Sequence, residues 1–137
     1  MLFATTKSFD LTFDSSYTLT SVEYLEGDYF VGWGGTPSAE LVRFSSAGLV
    51  EASSDATSLD HRSLFIGPDG TLHARAFGSN IVYKMSATFN QFEQVVTLQG
   101  VLEPQQQVTY DAATNKYYGN NNGTVTIWNT DGTRDRD

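Results

Sequence analysis

Apolar and polar residues alternate along this chain with a period of two, and no window spaces them as a helix would. Gly, Asn, Asp and Ser clusters interrupt the alternation every few residues, as turns between short strands do. The pattern predicts a first strand at Phe9–Phe13 and then three longer groups. Group one has strands at Val22–Leu25, Tyr29–Trp33, Glu40–Phe44 and Leu49–Ala52. Group two has Ser63–Ile66, Thr71–Phe77, Asn80–Met85 and Phe92–Leu98, and group three has Gln107–Asp111, Lys116–Gly119 and Thr124–Asn129. Tight turns are expected at Glu26–Asp28, Pro68–Gly70 and Ala112–Asn115. The polar tail Thr130–Asp137 is expected to fray.

The three groups repeat one another. Phe44 and Trp128 both close a third strand before a turn and lie 84 residues apart, two periods of 42. A multi-strand unit of roughly 40–50 residues is the signature of β-propeller blades. The expected fold is therefore all-β, residues 1–137 forming a single domain of three four-stranded antiparallel blades. With strands lettered A to D outward from the axis, the chain reads D-ABCD-ABCD-ABC.

That frame raises a question of closure. Three blades do not make a ring of roughly four to eight, and as a monomer they would expose two apolar blade faces. A homodimer would give six blades. Phe9, Leu11 and Phe13 of each copy would then finish the last blade of the other, beside Val125 and Ile127. A natural or engineered propeller fragment without activity of its own is the alternative.

Composition adds limits. Sixteen acidic and eight basic residues give a formal charge of −8, which repels nucleic acid. Cysteine is absent, which removes disulfides, thiolate catalysis and cysteine metal sites. The opening MLFATTKSFDL holds no apolar core of signal-peptide length, and no segment is long enough to span a membrane, so no membrane partner is expected. Asn122-Gly123-Thr124 matches a glycosylation acceptor but reads first as a hairpin turn.

Catalytic chemistry is thinly represented. The two histidines are His61, in the polar run Asp60–Ser63, and His73, which reads as a packed strand residue beside Leu72. Asp60 and His61 are neighbours on an extended chain and point to opposite sides, so they do not form a dyad. The loops after the second strands are better candidates for binding. Trp33 lies in Gly32-Trp33-Gly34-Gly35, with Arg75 and Asn121 at the corresponding places of the other repeats. Trp33, His61, Arg62, Arg75 and Asn121 are thus the expected contacts for a small molecule or carbohydrate at the channel mouth. For Trp33 the competing role is packing between blades.

Phe65-Ile66-Gly67-Pro68-Asp69-Gly70-Thr71-Leu72-His73, followed by Gly78–Lys84, resembles a blade of the gluconolactonase-like and NHL-type six-bladed propellers. Val125–Trp128 with the turn after it resembles the same blade's third strand. The resemblance implies six blades and, for the enzyme members, a divalent cation held in the channel by Glu, Asn and Asp from several blades. Here the inner strands offer only Glu23 and Asp111, so that ligand set is not matched. The expected function is a non-enzymatic binding or scaffold module with no required cofactor. A metal-dependent lactonase or hydrolase, using a cation such as calcium, is the alternative.

Overall fold

The computed structural model describes residues 18–34, 40–54, 60–86, 90–121 and 123–136. Sheet one contains β1 (Thr18–Leu25), β2 (Asp28–Gly34), β3 (Glu40–Phe44) and β4 (Val50–Ser54). Sheet two contains β5 (His61–Ile66), β6 (Leu72–Ala76), β7 (Ile81–Met85) and β8 (Phe92–Thr97). Sheet three contains β9 (Val108–Asp111), β10 (Lys116–Asn121), β11 (Thr124–Asn129) and β12 (Arg134–Arg136). Each sheet is an antiparallel meander in sequence order, and the described residues include no helix. This is the architecture of a three-bladed half-propeller.

The inner hairpins close through three turn chemistries. Glu26 and Gly27 both take positive φ, 54° and 101°, in a two-residue loop. That geometry matches the right-handed twist of the flanking strands. In the second blade Pro68-Asp69-Gly70 forms a turn in which the Gly70 amide donates to the Gly67 carbonyl, with Gly70 left-handed. The third blade uses a four-residue loop ending in left-handed Asn115.

Two apolar seams join the blades. Phe30 and Leu41 of blade one pack on Leu64, Leu72, Ala74 and Met85 of blade two. Phe65 and Val82 of blade two pack on Leu98, Leu102, Val108, Tyr117 and Trp128. Phe44, Met85 and Trp128 are equivalent. Each points from its third strand toward the preceding blade position, as the repeat spacing predicts.

Two expectations are corrected. Blade three has a fourth strand of its own, because Arg134–Arg136 pairs with β11 through Ile127↔Arg136 and Trp128↔Arg134. The outer position that Phe9–Phe13 of a second copy was expected to fill is therefore occupied. Phe9, Leu11 and Phe13 themselves lie outside the described residues. Nor does the half-propeller leave both end faces bare. Val31, Trp33, Val42 and Phe44, on the face of blade one turned away from blade two, are buried within this single chain. The outer face of blade three is the open one: Val125 is 54% exposed, and Thr109 and Asn120 are exposed beside it.

Candidate functional site

The five expected contacts do not converge. Trp33 is 2% exposed and stacks at 6.0 Å from Phe44 in the core of blade one, so packing is its role. His61 is fully buried in the seam between blades one and two, its ring 4.8 Å from Phe92. Burial pushes its imidazole down to about 4, so it is neutral at physiological pH. Arg62 is partly exposed, bonds Asp60 at 2.7 Å and lies 5.0 Å over the Phe77 ring. Asn121 lies on β10, at the turn into β11.

Arg75 is a clamp rather than a contact for a ligand. It is wholly buried and donates to the carbonyls of Ser79 at 2.7 Å, Glu103 at 3.0 Å and Pro104 at 3.1 Å, and also to that of Gln106. Desolvation lowers its affinity for the proton, with repulsion from Arg62 adding to it. Three of its four bonds fix the segment leading into blade three, and the fourth holds the loop between β6 and β7.

The structure also moves Arg75 out of register with Trp33. Blades one and two carry the same bulge, between Leu19 and Ser21 and between His61 and Ser63, so Ser21 pairs with Gly32 as Ser63 pairs with Arg75. The slip comes from the inner hairpin loop, Glu26–Gly27 in blade one but Pro68–Gly70 in blade two. In blade three the Asn120 amide donates to the Gln107 carbonyl. The equivalent residues are Gly32, Arg75 and Asn120, all facing the next blade position. One residue of slip turns each side chain to the opposite face.

That row borders a cleft of about 610 Å³. Its walls are Leu19–Val22 of β1, Ser63 and Leu64 of β5, and Gln107–Thr109 leading into β9, with Tyr118–Asn120 and Val125 from blade three. The first strands of all three blades thus share one cavity. The described lining residues offer hydroxyls, side-chain amides and aliphatic surface, and include no Asp, Glu, His, Lys or Arg. The Ser63 hydroxyl accepts from the Val108 amide at 2.8 Å, whereas the Ser21 hydroxyl is buried with no partner among the described residues. Tyr118 turns its hydroxyl to Thr114, 3.0 Å away.

No cluster of three His, Cys, Asp or Glu among the described residues is placed to hold a metal ion. No helix long and apolar enough to cross a membrane occurs among the described residues.

No protein-family model matches the chain, and no curated protein matches it by sequence. Solved structures do. A crystal structure of a protein of unknown function from Bacteroides caccae is similar over 85% of this chain and 47% of its own, with TM-score 0.52 and 13% identity. An auxiliary nutrient binding protein from Bacteroides ovatus is similar over 80% of this chain and 28% of its own, with TM-score 0.57 and 12% identity. The chain therefore spans about half the length of one and less than a third of the other. At such identities the likeness is one of fold.

Sequence reasoning missed the cleft residues. Ser21 and Ser63 do occupy matching places in their repeats, which was the available signal, but small polar residues on a strand carry no motif.

Proposed function

We propose that the chain is a non-enzymatic binding module whose cleft takes an uncharged ligand. The observation that carries this reading is the lining itself. It joins the first strands of three blades, supplies hydrogen-bonding groups beside exposed aliphatic side chains, and among the described residues contains no carboxylate, imidazole or cation. A cavity with a few polar groups among apolar ones is how small-ligand sites are built. General acid–base work needs a titratable group within hydrogen-bond reach of the reacting atom, and among the described residues this lining provides only the Tyr118 phenol. The metal-assisted lactonase reading finds no matching carboxylates among the described residues of the cleft. The Bacteroides ovatus structure belongs to a nutrient binding protein, a role compatible with binding on a fold of this kind.

Isothermal titration against uncharged oligosaccharides and blocked peptides tests the reading. Saturable binding that is lost in Val125→Asp, with circular dichroism unchanged, supports it. Binding that survives both Val125→Asp and Val22→Asp places the ligand elsewhere and contradicts it.

A further inference from the structure

The two closed seams show what the row facing the next blade does. In blade two, Arg75 and Ser63 grip backbone: carbonyls of Glu103, Pro104 and Gln106 on one side and the Val108 amide on the other. In blade one, the Thr20 hydroxyl donates to the His61 carbonyl, and Gly32 lets that strand approach until a Cβ there would sit 3.1 Å from His61 Cβ. At both seams the row holds the main chain of the segment crossing it. In blade three the same row presents Gln107 and Asn120, both exposed and both in the cleft wall.

Primary amides carry donors and an acceptor together, which suits a peptide group. The opposite wall has the same bias. Leu19–Val22 line the cleft as consecutive residues, so the edge of β1 and not one of its faces borders the cavity. Among the described residues β1 pairs only with β2, and no described strand lies along its other edge. An open strand edge offers alternating donors and acceptors to another extended chain. Leu19, Val22 and Val125, exposed by 46%, 57% and 54%, supply aliphatic surface for side chains. A sugar would find little to stack on. Among the described residues Tyr118 is the only aromatic in the lining, and both tryptophans are buried in cores.

We propose that the ligand of this cleft is an extended, uncharged polypeptide segment, added along the free edge of β1 and held from the opposite wall by the side-chain amides of Gln107 and Asn120. The proposal rests on the binding reading above and names its ligand class. The partner is uncharged because the described wall residues carry no charge to pair, and extended because an open strand edge pairs with an extended backbone.

The test is a titration of the full chain, followed by amide nuclear magnetic resonance, with the blocked peptide acetyl-Val-Thr-Val-Thr-Val-Gln-amide. Saturable shifts confined to residues 19–22, 107–109 and 118–120 are expected. Asn120→Ala, an exposed site that leaves the fold intact, weakens binding about fivefold, the worth of roughly one hydrogen bond. Alternate N-methylation of the peptide abolishes it, because the methyl groups remove backbone donors. Peptide binding indifferent to N-methylation, or absent from these residues, overturns the proposal. If cellohexaose shifts the same residues and the peptide does not, the peptide class falls and the binding reading stands. If neither does, both fall.

Discussion

Blade one meets blade two, and blade two meets blade three, through the same row of the same strands, yet the two seams are built from opposite materials. The first relies on absence of bulk. Gly32 carries no side chain, and the His61 strand closes over it. The second relies on bulk and charge. Arg75 threads into the seam and binds four carbonyls, while Trp128 covers Gly119 and donates its indole N–H to the Gln99 carbonyl at 2.8 Å. One scaffold row therefore tolerates either solution, provided the crossing backbone is satisfied. That requirement gives the third position its meaning, because Gln107 and Asn120 are exposed and no described backbone crosses them.

The comparison breaks most visibly at Arg75. Arg75→Met keeps the volume but leaves one buried and three partly buried carbonyls without their donor, and we expect a loss of roughly 3–5 kcal/mol in urea unfolding. Next in size is acid. His61 has a folded value of about 4 against 6.5 for the unfolded chain, so the unfolded state binds the proton first as pH falls. Stability is whole above pH 6.5 and drops by about 3 kcal/mol on going down to pH 4. His61→Gln flattens that window. Below it Asp69 adds a smaller loss. Burial pushes its carboxyl up, but hydrogen bonds from Lys84 and Thr71 outweigh that and hold it well below the usual range. Its contribution is present above the ordinary carboxylate range and fades beneath it, and its exposure keeps it small.

Gly32→Ala sharpens the contrast from the other side. Its Cβ would lie 2.7 Å from the Ser21 hydroxyl oxygen, and the expected loss is roughly 1–3 kcal/mol. Asn120→Ala, on the open face, should change stability by less than about 0.5 kcal/mol in the same assay.

Much of this fold was legible in the sequence. β3 and β11 fall where the alternation puts them, and the spacing of Phe44 and Trp128 reports a real equivalence with Met85 between them. What was illegible has physical causes. β12 is Arg-Asp-Arg, with no apolar signal, and it is a strand because backbone pairing to β11 makes it one. The row through Gly32, Arg75 and Asn120 was read one residue off in two repeats, because the inner hairpin loops, residues 26–27, 68–70 and 112–115, differ in length and a fixed period of 42 ignores that. Trp33 and Arg75 attracted attention as side chains that bind, but burial turned both inward. The cleft is made by strand edges and small polar residues, and it exists only once three repeats are brought together.

The central claim is that two seams are closed and the outer face of blade three, with its cleft, is open. The chain has no cysteine, so single cysteines can be placed at Val22, Val42, Val82 and Val125 and their reaction with a thiol reagent timed. Val125→Cys and Val22→Cys should react as free surface thiols at all protein concentrations. Val42→Cys and Val82→Cys, at positions wholly buried in the native chain, should react slower by about three orders of magnitude or more, through unfolding alone. Protection of the Val125→Cys thiol in the unliganded protein, or fast reaction at Val82→Cys, would contradict the account.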